Sequence, residues 1–223
     1  MNRWSGSVAR MVVSMLLGGA SLTAAAQTGT DEMTFFVTST GKGKGADLGG
    51  LEGADAHCLA LAKAAGSKQS SWRAYLSTTA PGGAAGVSAR ERVGKGPWRN
   101  AKGEVVARNV DDLHSASVNL NKKTALTERG EVVSGRGDQV NMHDILTGSD
   151  PNGFFSTAGG DTTCKNWSSS AEGSAIVGHH DRIGLKETWH MMSWNSSHGT
   201  PGCGQDALKS TGGAGLFYCF VAN

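Results

Sequence analysis

The sequence lacks a long apolar run after its first 26 residues. A transmembrane helix needs about 20 predominantly apolar residues in a row, and no stretch beyond Gln27 approaches that length. The sequence therefore predicts a chain with no membrane span.

A surplus of charge of one sign is missing as well. The chain has 21 Lys and Arg residues against 19 Asp and Glu residues. Arg3 and Arg10 lie in the first 26 positions, which contain no acidic residue, so the remainder of the chain is formally neutral. Because a general nucleic-acid binder carries a basic surplus, we do not expect nucleic acid as a partner.

Proline is scarce, at four residues, whereas glycine is abundant, at 33 of 223. The glycines follow no three-residue period, which excludes a collagen-like rod, and a hydrophobic content of 38% excludes a disordered chain. Since glycine favours turns, we expect a folded domain that is rich in loops.

The first 26 residues have the pattern of a secretory signal peptide. Arg3 and Arg10 flank its start, an apolar run covers residues 11–17, and an Ala-x-Ala cleavage site precedes Gln27. We therefore expect residues 1–26 to be a signal peptide and residues 27–223 to form one domain. The predicted location is the periplasm or the cell exterior, where disulfides persist.

Four cysteines lie in the predicted domain, at Cys58, Cys164, Cys203 and Cys219. An even count in an exported chain favours two disulfides. A zinc site of four cysteines usually has two close pairs, which this spacing does not provide. Spacing alone allows three pairings.

Apolar patterning predicts the elements that carry two of these cysteines. A stripe at helical spacing, in which Cys58 lies, predicts a helix from Leu51 to Ala65 that Gly66 ends. Residues 33–39, 72–77 and 215–221 have the composition of strands. The last strand contains Cys219, which suggests that Cys58 pairs with Cys219. Cys164 and Cys203 would then pair with each other inside the stretch of chain that this disulfide closes.

Several motifs together resemble a known family. Residues 148–153 read Gly-Ser-Asp-Pro-Asn-Gly and precede Cys-Lys-Asn-Trp at residues 164–167, Gly-Cys at residues 202–203 and Tyr-Cys at residues 218–219. This order resembles the endostatin domain of collagens. Residues 46–58 resemble a helix-opening motif of bacterial exported endostatin-like proteins.

The resemblance implies an α+β domain of the C-type lectin-like, endostatin-like fold. It would have a mixed, mainly antiparallel sheet, few helices, long loops and two nested disulfides. We therefore expect a monomeric, non-enzymatic binding module for a glycan, a glycosaminoglycan or an extracellular protein of the matrix type. An envelope structural protein without a small ligand is an alternative, because one fold hosts many functions.

A calcium site is one way in which such a fold binds sugars. Sugar-binding C-type lectins use a Glu-Pro-Asn triplet and a later Trp-Asn-Asp triplet, and this chain has Asp150-Pro-Asn152 and Trp194-Asn195-Ser196. The expected ligand contacts are Asp150, Asn152, Trp194, Asn195 and His198, of which Asp150, Asn152 and Asn195 are the Ca²⁺ candidates. We expect no other cofactor. A structural β-turn is the alternative, since Asp-Pro-Asn-Gly suits one.

A basic run at residues 90–102 suggests a second surface for anionic ligands. It contains Arg90, Arg92 and Arg99, whose guanidinium groups suit sulfated or acidic glycans, and Trp98, which could stack on a sugar. A solvated basic loop is the alternative. Of Trp167, Trp189 and Trp194, we expect one to be exposed.

A histidine-rich segment is the only dense polar cluster in the sequence. His179-His180-Asp181 could hold a metal ion or supply a general base for a hydrolase, and His143-Asp144 has the same ambiguity. In an extended segment His179 and His180 point to opposite faces, so at most one serves a given site. Because the chain has no Gly-x-Ser-x-Gly motif or His-Glu-x-x-His motif, a hydrolase is the alternative and a binding module is the main prediction.

Overall fold

The computed structural model describes residues 1–2, 32–79, 86–156 and 160–223. Apart from Met1 and Asn2, the predicted signal peptide lies outside these residues. No helix of the described ranges is long and apolar enough to cross a bilayer.

The helices are few and, with one exception, short. They are α1 Gly50–Ala64, α2 Ala89–Arg92, α3 Val110–Leu113, α4 Cys164–Trp167 and α5 Gln205–Thr211. The strands are β1 Phe35–Val37, β2 Trp72–Ala74, β3 Trp98–Arg99, β4 Val105–Ala107, β5 Asp144–Leu146, β6 Ile176–His179, β7 His198–Gly199 and β8 Gly213–Val221.

The long strand β8 organises the main sheet. It pairs antiparallel with β1 along one edge, and along its other edge it pairs parallel with β5 in its first half and antiparallel with β2 near its end. Strand β6 then pairs antiparallel with β5, and β7 pairs antiparallel with β6. The sheet is therefore mixed and mainly antiparallel, as predicted, and the fold is α+β. Its assignment to the C-type lectin-like fold stays a prediction.

Strand β8 is apolar throughout because both of its faces are buried. Phe217, Cys219 and Val221 belong to the core cluster under α1, while Tyr218 and Phe220 belong to the cluster on the opposite face. This division follows from the two-residue period of a strand. A continuous apolar run is what such a two-sided burial requires.

Both predicted disulfides are present. Cys58 on α1 pairs with Cys219 on β8, and Cys164 pairs with Cys203. Helix α1 ends in a Schellman motif, because the Gly66 N–H donates to Lys63 and the Ser67 N–H donates to Ala62, which confirms the predicted stop.

Helix α4 is a left-handed turn rather than an ordinary α-helix. Its four residues all have positive φ, between 49° and 66°, a conformation that is costly for residues other than glycine. The Cys164 disulfide holds its first residue, and the indole of Trp167 donates to the Ser77 carbonyl. The Cys-Lys-Asn-Trp motif of the resemblance is therefore a tightly anchored structural turn.

Candidate functional site

Three neighbouring strands bring polar side chains to one end of the sheet. Asp144 at the start of β5 lies opposite His179 at the end of β6, and His198 on β7 lies opposite Val177. Side chains two apart on β6 share a face, so His179 and His198 lie on the same face. His143, just before β5, completes a group of four that we call the His-Asp cluster.

Two local features allow this close approach. A side chain at Gly178 would overlap the backbone of Trp194 and Asn195, so only glycine lets the segment that leads to β7 pack there. The β5–β8 pairing is irregular between Asp144 and Ile145, which places a bulge at the cluster.

The three histidines direct the same nitrogen at one oxygen. The Nε2 atoms of His143 and His179 are each 3.2 Å from Asp144 Oδ1, and His198 Nε2 is 3.4 Å from it. The rings of His143 and His179 stack with centroids 4.1 Å apart, while those of His179 and His198 are 5.2 Å apart and tilted.

The other ring nitrogen of each histidine faces an acceptor. His179 Nδ1 lies 2.7 Å from the Met191 carbonyl, His198 Nδ1 lies 3.1 Å from the Gly199 carbonyl, and His143 Nδ1 lies 3.3 Å from the carboxylate of Asp181. In a neutral imidazole these contacts place the proton on Nδ1 and leave a lone pair on Nε2.

Acceptors therefore face acceptors at the centre of the His-Asp cluster. Both carboxylate oxygens of Asp144 and Nε2 of His179 are buried without a hydrogen-bond donor among the described residues. Burying a carboxylate without a donor is costly. The arrangement calls for a positive charge at its centre, either protons on the histidines or a metal ion.

The electrostatics keep both carboxylates ionised. Burial raises the pKa of Asp144, but this pKa stays below its ordinary value where His179, His198 and Thr211 donate to the carboxylate, so the ionised form needs donors or a cation around it. Burial also raises the pKa of Asp181, but the contact with His143 and two backbone N–H groups outweigh this effect and lower the pKa to about 2. The contact with Asp144 raises the pKa of His198.

The His-Asp cluster lies at a pocket of about 380 Å³. The side chain of His198 is 25% exposed, whereas Asp144 is almost fully buried. The pocket is lined by His143, His179, His198, Arg136, Leu185, Met191, Ser210 and Thr211. A ligand can therefore reach the cluster from the side of His198.

Of the expected ligand contacts, only His198 lies at this pocket. Trp194 is buried in the core, 4% exposed, so it offers no sugar-stacking surface. Asn195 is buried, and its amide nitrogen donates to the hydroxyl of Tyr75 and to the carbonyls of Asp150 and Pro151. The prediction that Trp194 and Asn195 contact a ligand needs correction, because their contacts are those of the core.

The Asp150-Pro151-Asn152 segment is a structural turn, which was the alternative interpretation. The Asp150 carboxylate accepts from the backbone N–H groups of Asn152 and Phe154. Asn152 is exposed. Asn195 therefore meets this turn through its amide nitrogen, which is a donor, and the contacts of the three calcium candidates do not form a set of converging oxygens.

The predicted arginine surface also needs correction, because each guanidinium already has a partner. Arg90 bonds the Asn152 carbonyl and lies over the ring of Phe154, Arg92 pairs with both oxygens of Asp55, and Arg99 bonds the Gly103 carbonyl. Trp98 is fully buried and cannot stack on a sugar.

The prediction that His179 and His180 point to opposite faces is confirmed. His179 joins the His-Asp cluster, while His180 points away and its Nε2 contacts the Ser134 carbonyl. The expectation that one tryptophan of three is exposed also holds, since Trp189 is 67% exposed and Trp167 and Trp194 are buried.

The sequence indicates each member of the His-Asp cluster as a candidate but not that they lie together. His143-Asp144, His179 and His198 are separated by 35 and 19 positions and follow no local metal-binding motif. Only the register of β5, β6 and β7 joins them. The adjacent His-Asp pair before an apolar strand was the available signal.

Comparison with known proteins adds no family. No protein-family model and no curated protein matches the chain. The resemblance to endostatin-like proteins therefore stays a prediction.

Proposed function

We propose that this protein is an exported, non-enzymatic binding module that holds a divalent transition-metal ion, best Zn²⁺, in the His-Asp cluster. The observation that carries the proposal is the convergence of three Nε2 atoms on Asp144 Oδ1, a buried oxygen that has no hydrogen-bond partner among the described residues. A metal ion supplies the missing positive charge to all four groups at once.

Protons alone would satisfy the cluster less well. A proton on His198 gives Asp144 one donor but leaves the lone pairs of His143 and His179 directed at a carboxylate. Protonating all three rings would place three positive charges around one carboxylate in a buried site, with Asp181 as the second acid.

The distances support tetrahedral zinc. Bonds of about 2.0–2.1 Å to four ligands imply separations of about 3.3–3.4 Å between ligand atoms. The separations from Asp144 Oδ1 are 3.2, 3.2 and 3.4 Å, and the ligand atoms of His143, Asp144 and His179 all lie within 4.8 Å of one another, a group that does not include His198. The stacked rings of His143 and His179 must tilt on binding, because each lone pair lies in the plane of its ring.

The donor set favours zinc over calcium. Three imidazoles and one carboxylate suit Zn²⁺, whereas Ca²⁺ takes six to eight oxygens. The Nδ1 contacts of each ring match the outer-shell partners that metal-binding histidines have. His143, Asp144 and His179 supply three ligand atoms within 4.8 Å of one another, and His198 must move toward them to complete a tetrahedral site that leaves no position for a catalytic water.

Isothermal titration of the oxidised, chelator-treated protein with ZnCl₂, and separately with CaCl₂, tests the proposal. We expect one Zn²⁺ per chain and no tight Ca²⁺ binding. The variants Asp144→Asn and His198→Gln should lose zinc affinity, while His190→Gln, which changes an exposed histidine outside the cluster, should bind as the wild type. Zinc binding that survives Asp144→Asn unchanged would overturn the proposal.

Glycan binding, which the resemblance implies, is a second proposal with one supporting observation. The exposed ring of Trp189 lies two residues before Met191, a lining residue of the pocket. Aromatic faces suit the CH surfaces of sugars. A glycan array probed with zinc-loaded protein and with Trp189→Ala tests it, since binding that is absent, or indifferent to Trp189, would contradict it.

A further inference from the structure

One arginine at the pocket has a guanidinium group that no described residue pairs with. Arg136 lines the pocket, and its side chain makes no hydrogen bond or ion pair with any residue that the structure describes. Its backbone N–H donates to Asp181. A partly buried guanidinium without a partner is a site that an anion would satisfy.

Arg136 differs in this respect from every other arginine in the described part of the chain. Each of the other seven guanidinium groups has a partner: Arg73 and Arg92 with Asp55, Arg90 with Asp111, Arg99 with Gly103, Arg108 with Asp112, Arg129 with Glu128 and Arg182 with Met192. The free group is therefore specific to the pocket and is not a general property of the surface.

Asp181 ties this arginine to the His-Asp cluster. One of its oxygens accepts from the Arg136 N–H at 2.7 Å, and the other lies 3.3 Å from His143 Nδ1. Asp181 is buried, so the link is a fixed part of the structure. Arg136 is thereby held beside the place where the proposed metal ion would bind.

The charge and lining of the pocket indicate the class of ligand. A divalent ion, two carboxylates and Arg136 leave one net positive charge. Leu185 and Met191 supply an apolar wall to the same pocket. A guanidinium fork matches a carboxylate in two parallel hydrogen bonds, and an apolar wall favours an organic anion over an inorganic one.

We propose that the pocket binds a small organic carboxylate, paired with Arg136 and packed against Leu185 and Met191. This inference rests on the proposed metal site, because without the ion Asp144 and Asp181 repel an anion. The carboxylate could belong to an aliphatic acid or to an acidic sugar, and the two sources share the contact with Arg136.

Titration of the zinc-loaded protein with butyrate and with glucuronate tests the inference, with inorganic phosphate, butyramide and glucose as comparison probes. We expect butyrate or glucuronate, but not the neutral compounds, to bind. Arg136→Leu should weaken that binding by about ten- to a hundredfold, the usual effect of losing a charged hydrogen bond. Zinc affinity should stay as in the wild type.

Arg108→Leu is the matched control, because it removes an exposed arginine that does not line this pocket. Carboxylate binding that is the same in Arg136→Leu and Arg108→Leu would overturn the inference, as would equal binding of butyrate and butyramide, or tighter binding of phosphate than of either carboxylate. If zinc binds and no carboxylate does, only this inference fails. If zinc itself does not bind, the proposed function fails with it.

Discussion

Asp144 and His179 are register partners across the β5–β6 pair, and their side chains meet at 3.2 Å between Oδ1 and Nε2. Neither atom has a hydrogen-bond partner within the described ranges. A buried carboxylate and a buried imidazole thus face each other through acceptor atoms. The pairing of β5 with β6 brings these two side chains together, and the proposed metal ion would supply the positive charge that both atoms lack.

Zinc should raise the thermal stability of the protein. An ion that binds only the folded state at a hundred times its Kd stabilises it by about 2.7 kcal/mol. For a domain of this size, that stabilisation raises Tm by about 5–11 °C. Calorimetry with zinc and with chelator measures the shift, and Asp144→Asn should show none. The same Tm in both conditions would count against the site.

Asp181→Asn should weaken zinc binding without removing a metal ligand. The carboxylate of Asp181 holds Nδ1 of His143 and so orients its Nε2. Loss of such an outer partner costs about 10–100-fold in metal affinity. Titration calorimetry reads the change. Asp138→Asn is the control, since Asp138 pairs with Lys122 on the surface, and an equal loss in both variants would contradict this role.

Asn195→Ala should destabilise the fold. The buried amide of Asn195 donates to Tyr75 and to two carbonyls of the Asp150 turn. Leaving such a buried acceptor without its hydrogen bond costs about 1–3 kcal/mol of stability. The exposed Asn152→Ala should change the free energy of unfolding by less than about 0.5 kcal/mol. Urea unfolding compares the two variants. If Asn195→Ala unfolds at the wild-type urea midpoint, Asn195 has no structural role.

His114 should make the metal-free protein less stable in weak acid. Burial lowers the pKa of His114 below 6.5, and its Nε2 contacts the hydroxyl of Tyr75. His114 therefore binds a proton more readily in the unfolded chain than in the folded protein. The stability that the buried, neutral His114 contributes is fully present above pH 6.5 and is lost as the pH falls toward the folded-state pKa. Urea unfolding of His114→Gln between pH 5 and about 7.5 should show a smaller pH dependence than the wild type and than His190→Gln.

Much of the scaffold could be predicted because its signals are local. The run at residues 215–221 predicts a strand, the stripe through Cys58 predicts α1, and Gly66 marks its end. The pairing of Cys58 with Cys219 followed because each cysteine lay on a recognisable element. Strand ends were less accurate: the strand expected at residues 72–77 ends at Ala74, after which Tyr75 leaves the regular pairing.

The candidate site was harder to predict because its geometry is non-local. Trp194 and Asn195 matched a lectin triplet in the sequence, but their burial could not be inferred from three letters. Arg90, Arg92 and Arg99 suggested an anionic surface, yet their partners come from distant segments. The arginine without a partner among the described residues is Arg136, and nothing in its local sequence indicates that it lines this pocket.

A crystal structure of the zinc-loaded protein, with anomalous diffraction at the zinc edge, tests the central claim most directly. We predict one anomalous peak within about 2.0–2.1 Å of Nε2 of His143, His179 and His198 and of a carboxylate oxygen of Asp144. The rings of His143 and His179 should be tilted out of their parallel stack. A zinc-soaked crystal with no peak there, or with zinc only on surface histidines, would contradict the account.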